Sequence, residues 1–489
     1  MRLKSLLSVA LLLVLPIGLL AQDGVGAEST AAVSADVAAS TADEDSHDTA
    51  AMGAIANNPP LTSIDAPALE TSTHARKYLT PSIGISQSLI DNQSGNQNTN
   101  NGTEGLSRVF GTLSLERNSG KYDFTAGYVG AALYNSRDTH QNGQVHQLSF
   151  QDKITGERSQ LQFMDLASYS PDSNFGSQAL GGVGAFQSIV GGTLGGGLNT
   201  GFNILNPNFA GTGLSNRISN MAVIQGEHAV SRQTTFTAAV SYGLLRFMDN
   251  GGVSSRQGGI ALGYNYTGSR HQTLALLYSG AAFRFKGVGG SFNTQSLYAV
   301  YGAHLSNRLN VKIGAGPQVI ATNQFGTGTT NQVSWGGLAS AEYSLRRTVM
   351  RVRLERFINN GSGIFLGARS NYARLDFDRK LTRGWDGSMN FGFAHSNRVQ
   401  SVPVNSDVNA PGLLPLPLQT NSRVANMGYA GVRLAHKWGQ NAGIFVTYQF
   451  GRQTSDSPIC TTISGCQRIT QQHEGGIGFN WHGRSWRTE

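Results

Sequence analysis

The chain has 489 residues, among them 62 Gly, 13 Pro and 2 Cys; 13% are charged, and the formal net charge is +8. Glycine stands near twice the usual ~7% and charge near half the usual ~25%. These proportions exclude a charge-rich coiled coil, and two cysteines exclude a disulfide-dense scaffold. Beyond the N-terminus no uninterrupted apolar run reaches the ~20 residues of a spanning helix.

Arg2 and Lys4 precede an apolar stretch over 6–21 broken only by Ser8, Pro16 and Gly18, with Ala21 and Ala27 as candidate cleavage positions. Residues 1–27 therefore read as a signal peptide and the remainder as exported. Residues 28–77 are rich in Ala, Ser, Thr and Asp and nearly lack aromatics. Such a stretch cannot bury enough apolar area to offset its ordering entropy, so it reads as a flexible tail. From residue 78 onward 20 acids face 33 bases, a formal +13. Export takes that basic charge away from nucleic acid, which is not expected as a partner.

From residue 78 the chain alternates with period two. Phe236, Ala238, Val240 and Tyr242 alternate with Thr237, Ala239 and Ser241; Ile260, Leu262, Tyr264 and Tyr266 alternate with Ala261, Gly263 and Asn265. The same rhythm runs through Tyr122–Phe124–Ala126–Tyr128, Met350–Val352–Leu354 and Ile444–Val446–Tyr448–Phe450. One face is apolar and aromatic; the other is small, polar or charged. Strands are expected at 79–89, 108–117, 121–134, 145–153, 159–169, 221–230, 235–248, 257–267, 272–285, 294–305, 309–322, 332–345, 348–358, 364–381, 385–398, 423–438, 442–453 and 470–482. These runs of about ten to thirteen residues exceed the ~5–6 of globular strands and match the ~9–11 that a tilted membrane strand needs. Tyr122, Tyr134, Tyr266, Tyr343, Trp385, Trp438 and Trp481 fall near strand ends on the apolar face, as an interfacial girdle requires.

Short connections such as Asn118-Ser119-Gly120, Gly268-Ser269-Arg270 and Gly439-Gln440-Asn441 alternate with longer ones. An arginine recurs in five consecutive short turns, Arg232, Arg270, Arg308, Arg346 and Arg383, at spacings of 38, 38, 38 and 37. This is a loose hairpin repeat. The expected fold is an all-β transmembrane antiparallel up-and-down β-barrel of about 18 strands, with short periplasmic turns and long extracellular loops.

Over 78–482 the chain resembles the bacterial outer-membrane β-barrels, in the porin-like sense. Ile477, Phe479 and Trp481 alternate towards an aromatic end like the C-terminal signal of that family, although eight residues follow Trp481. The resemblance implies the outer membrane of a Gram-negative envelope, contact with outer-membrane lipid and with the barrel-assembly machinery, and a homotrimer.

Residues 171–219 form the longest loop, with 12 glycines and only Asp172 and Arg217 charged. A loop this long is usually functional, and two readings stand open: folded into the lumen, or lying on the surface. Lumen-phase charges comprise Lys312, Arg351, Arg353, Glu355, Arg374, Asp376, Asp378, Lys380, Arg433 and Lys437. They either set a weak anion preference or brace the wall as pairs. Cys460 and Cys466, with five residues between them, are expected to form a disulfide in the oxidising envelope. The eleven histidines are scattered, Gly195-Gly196-Gly197 lacks the Lys-Ser/Thr of a phosphate loop, and no Gly-x-Ser-x-Gly elbow occurs. No catalytic residue, metal or cofactor is therefore expected. The Pro-rich loop 399–421 reads equally as a rigid surface loop or a partner contact.

Barrels of 16–18 strands leave an aqueous channel. The expected function is passive diffusion of small polar solutes; the alternative is a non-conducting barrel with a structural or surface-interaction role. A barrel with an N-terminal plug is disfavoured, because 28–77 is too short and polar to fill a lumen.

Overall fold

The computed structural model of the chain describes residues 60–63, 77–94, 102–136, 142–171, 216–248, 253–286, 290–324, 328–361, 365–400, 423–439, 441–461, 465–483 and 486–487. The signal segment 1–27, most of the tail, 172–215 of the longest loop and 401–422 lie outside the described residues.

Nineteen strands follow in chain order: β1 (Lys77–Ser94), β2 (Gly102–Asn118), β3 (Tyr122–Asn135), β4 (Gly143–Thr155), β5 (Ser159–Pro171), β6 (Asn216–Ala229), β7 (Thr234–Phe247), β8 (Ser255–Ser269), β9 (Gln272–Phe285), β10 (Ser291–Ser306), β11 (Leu309–Gln324), β12 (Gly328–Ser344), β13 (Thr348–Asn359), β14 (Ala368–Lys380), β15 (Trp385–Arg398), β16 (Val424–Trp438), β17 (Ala442–Thr461), β18 (Gly465–His482) and the two-residue β19 (Trp486–Arg487). All eighteen long strands correspond to segments expected from the alternation, most of them a few residues longer. The largest late start is that of β14, which begins at Ala368 rather than at 364 because residues 365–367 turn into the barrel.

Each strand from β1 to β18 pairs antiparallel with its chain neighbours, and β1 pairs β18 from Ser82↔His482 to Ser94↔Thr470. The ladder is closed. Closure is what a lipid surround demands, because an open strand edge there has no hydrogen-bond partner. The even count brings the start of β1 and the end of β18 to the same rim, the one that carries the short turns. Beyond the aromatic end of β18, Leu79↔Trp486 and Tyr78↔Arg487 extend the ladder on β1. The trailing residues are thus partly stitched into the wall.

Side-chain alternation sorts the two faces. Ile83, Ile85, Leu89, Val240, Leu262, Leu276, Ile313, Val446 and Ile477 are all exposed on the outside. So are all seven girdle aromatics, from Tyr122 to Trp481. The residues between them point inward, and many are buried. The inner face is less uniformly polar than the alternation implies. Met164, Val223, Leu277, Tyr298 and Val300 form one buried cluster on it; Phe283, Phe285, Phe292 and Ile320 form another together with Ile358 and Leu366. The reason is that inward-turned chain packs against these positions, so an apolar residue there meets protein rather than water.

The closing seam has its own clasp. Arg108 on β2 reaches over β1 to Glu474 on β18, with Nη2 2.6 Å from the carboxylate and both side chains nearly excluded from solvent (4% and 9% exposed). On the way its Nη1 donates to Ser88 Oγ of β1 at 2.8 Å. Removing one partner of a buried ion pair typically costs about 3–5 kcal/mol, since the other charge is stranded. Glu474→Ala should therefore lower the temperature at which the folded band converts to the unfolded band on a heat-modifiability gel. An unshifted transition would mean that the clasp carries no part of closure.

Candidate functional site

The inner wall of β11–β16 carries a row of charge. Strand register places Arg353 of β13 opposite Arg374 of β14, and Arg351 opposite Asp376. Two guanidiniums side by side repel, and each holds its own carboxylate: Arg353 pairs with Glu355, and Arg374 Nε lies 2.7 Å from Asp376. Arg351 bridges two strands, 3.2 Å from Glu342 on β12 and 3.1 Å from Asp378 on β14. Lys437 stands 3.7 Å from Asp386, and that pair is open to solvent (70% and 42% exposed). Arg433 lies over the Phe445 ring at 5.3 Å. Lys380 is exposed near the short-turn end of β14, and Lys312 donates to the carbonyl of Leu61 at 2.5 Å. The inner face thus holds all ten predicted charges. Six of them, Arg351, Arg353, Glu355, Arg374, Asp376 and Asp378, are joined to one another or to Glu342; the other four are dispersed.

Above that row, towards the long-loop rim, the wall changes. β12 pairs with β11 down to Gln324↔Gly328 but with β13 only from Ser344↔Val349 to Gly337↔Arg356. Past Arg356 the chain of β13 leaves β12 and turns into the lumen. Phe357, Ile358, Asn359 and Asn360 are all buried. The edge that β12 loses is capped from outside: Arg356 Nε donates to the Trp335 carbonyl at 3.1 Å while its guanidinium covers the Trp335 ring at 4.3 Å. Arg369 donates to Ser334 Oγ at 3.1 Å. Side chains thus replace part of the missing ladder hydrogen bonds.

The inward-turned chain crosses to the opposite arc. Asn360 Nδ2 donates to Ser255 Oγ of β8 at 3.2 Å. Phe365 and Leu366 are buried, the latter against Phe283, Phe285 and Phe292. Gly361 and Gly367 hold φ of 77° and 81°, a left-handed conformation that costs glycine nothing and a side-chain-bearing residue more. A Cβ at Gly367 would also lie 2.4 Å from the Phe292 ring. Beneath this segment is a cavity of about 80 Å³ whose lining includes Gln257, Ser296, Tyr298, Gln318 and Glu355. Apolar side chains and glycines share the lining with hydroxyls, amides and the Glu355 carboxylate, so it offers hydrogen bonds to a small group beside apolar surface.

Several of these residues escaped the sequence reading. Arg108 and Glu474 stand on strands far apart in the chain, and only register brings them together. Tyr372 and Tyr429, whose hydroxyls meet at 3.1 Å on the inner wall, sit in the polar phase of β14 and β16 and were legible there as inward aromatics. The longest loop, for which a lumen and a surface placement both stood open, lies outside the described residues from 172 to 215. Cys460 and Cys466 are directly opposed in the β17–β18 ladder. Opposed residues of antiparallel strands lie ~4.5–5.5 Å apart at Cα, within the span a disulfide bridges.

Gly367→Val should dislodge the inward-turned segment while leaving the barrel closed. Limited proteolysis of the detergent-folded variant should cut within 358–367, where the wild type resists; equal resistance would show that the segment is held some other way.

No family model matches the chain, and no curated protein matches it. Among solved structures it is similar to Pseudomonas aeruginosa OccK2 (OpdF), with 10% identity over 83% of this chain and 98% of that one and a TM-score of 0.39. It is likewise similar to OpdL of the same organism (9%, 84% and 100%, TM-score 0.39) and to OpdQ (9%, 83% and 97%, TM-score 0.40). The fold itself rests on the ladder: a closed, antiparallel wall of eighteen long strands with an outward apolar band and short turns gathered on one rim, which is the architecture of a bacterial outer-membrane β-barrel.

Proposed function

We propose that the protein is an outer-membrane channel for passive diffusion of small polar solutes, with a weak anion preference. The observation that carries this reading is the wet, charged arc inside the closed wall. Lys437 and Asp378 of the inner face are more than half exposed, so solvent reaches the row. Ionised groups persist there because water and partners solvate them. On β11–β16 eight bases (Lys312, Arg351, Arg353, Arg374, Lys380, Arg398, Arg433, Lys437) share the inner-face phase with five carboxylates (Glu342, Glu355, Asp376, Asp378, Asp386). Among the described residues Lys380, Arg398 and Arg433 join no ion pair, and they supply the positive surplus. Fixed charge of one sign in a pore raises the local concentration of the opposite ion. In planar bilayers under a salt gradient the protein should show a reversal potential of anion sign, and Lys380→Gln/Arg433→Gln should bring it towards zero. Cation selectivity in the wild type would overturn the preference.

A second reading, a non-conducting barrel displaying its loops, draws on the buried apolar patches of the inner wall and on the chain that packs against them. A folded, heat-modifiable sample that stays electrically silent would favour it. No step here calls for an enzyme: the row consists of ion pairs and hydrogen bonds, and the reading needs no chemical conversion.

Two further proposals concern assembly. On the outer face Asp165 accepts a hydrogen bond from Asn220 at 2.7 Å, a carboxylate where hydrocarbon would otherwise lie. A neighbouring subunit with polar groups over β5–β6 would replace that hydrocarbon contact, which supports a homotrimer. The outward Ile477, Phe479 and Trp481 row supports recognition by the barrel-assembly machinery. The opposed register of Cys460 and Cys466 supports a disulfide: alkylation of the denatured, unreduced protein should label neither cysteine, and labelling of both would refute the bond.

A further inference from the structure

Residues 60–63 lie inside the barrel, held on the inner wall of β7–β11. They form a tight turn, with the Ser63 amide donating to the Pro60 carbonyl at 3.1 Å. Asn265 of β8 grips Thr62 twice: its Oδ1 accepts from the Thr62 amide at 3.2 Å, and its Nδ2 donates to Thr62 Oγ1 at 2.5 Å. Thr237 Oγ1 of β7 completes the contact at 2.6 Å. Lys312 holds the Leu61 carbonyl. The Leu61 side chain packs on the apolar cluster of Val223, Leu277, Tyr298 and Val300.

The wall is shaped for this occupant. At Gly302 an added Cβ would come within 2.6 Å of the Leu61 side chain, and at Gly263 within 2.2 Å of Thr62 Oγ1. Two glycines in the inward phase thus clear the space that the Leu–Thr pair fills. Asn265 and Thr237, nearly excluded from water at 2% and 5% exposure, have their polar groups satisfied by that pair. Buried amides and hydroxyls without partners are costly, and the Leu–Thr pair supplies the partners that the covered Asn265 and Thr237 need.

Height in the wall fixes which mouth is involved. Thr237, Asn265, Gly302 and Lys312 all lie within four residues of a short-turn end of their strand. Short turns of such barrels are periplasmic, which is also the side where the chain enters β1. We propose that Leu61 and Thr62 are a tethered occupant of a peptide-binding socket in the periplasmic mouth, and that their docking narrows the exit of the channel. The occupant is this chain's own segment, and Lys312, a member of the charge row, is held by a backbone carbonyl while the segment is docked. Undocking widens the mouth and returns Lys312 to the lumen.

The inference rests on the channel reading, and the test separates the two. Thr62→Cys/Thr237→Cys, oxidised in the folded full-length protein, should form an internal crosslink seen as a mobility shift that reduction reverses. In planar bilayers the crosslinked form should conduct least. Reduction, or Gly302→Val in the otherwise wild-type chain, should raise the open fraction about tenfold, equivalent to ~1.4 kcal/mol of docking lost. Deletion of 28–63 should do the same, and a synthetic peptide of residues 58–65 added from the periplasmic side should reverse it. Failure to crosslink in a heat-modifiable barrel overturns the docking. Crosslinking with identical conductance in the oxidised, reduced, Gly302→Val and deleted forms overturns the gating and leaves the channel standing. Silence of every form, the deletion included, overturns the channel and the gating with it.

Discussion

Backbone hydrogen bonding in a medium without water is the constraint on which the rest of this structure depends. Every strand N–H and C=O along the lipid-facing wall needs a partner, and only a closed ladder supplies them all. The β1–β18 pairing meets that need, and the Arg108–Ser88–Glu474 clasp ties three strands across the place where the ends of the chain must find each other. Where the ladder stops short between β12 and β13, the same rule holds. Arg356 and Arg369 bring side-chain donors to the strand that lost its neighbour.

The parting of β12 and β13 has a consequence for the lumen. A strand that leaves the wall must go somewhere its backbone can be satisfied, and here it turns inward onto apolar side chains. Phe283, Phe285, Phe292 and Ile320 would be misplaced in a water-filled pore; they are well placed as a seat for Leu366. The same logic holds at the other mouth, where Leu61 covers the Val223–Leu277–Val300 patch. The inner wall is therefore two surfaces in one. A charged, wet arc runs over β11–β16, and an apolar and amide-bearing arc over β6–β11 receives the chain's own segments.

Much of this was legible in the sequence. The period-two alternation located all eighteen long strands, and the recurring turn arginines gave their rhythm. The seven girdle aromatics all proved to face outward, because a side chain's face in a strand depends only on its parity. Parity also puts the ten predicted charges on one face. Their partners were not legible: Arg351 meets Glu342 and Asp378 through strand register, a relation between separate hairpins. Gly263, Gly302 and Gly367 look alike among 62 glycines, and only the atoms opposite them reveal which face a neighbouring chain.

By itself the amino-acid sequence determined that about eighteen strands form, their phase and the side of the wall each residue occupies. These follow from local alternation and turn chemistry, which act over a few residues. Tertiary structure alone decided where the ladder closes, where it parts, and which polar stretches come inside it. A segment such as 60–63 is polar and short enough to look like solvated tail. It becomes a lumen element only because Asn265, Thr237 and Lys312, some 175 to 251 residues away in the chain, converge on it.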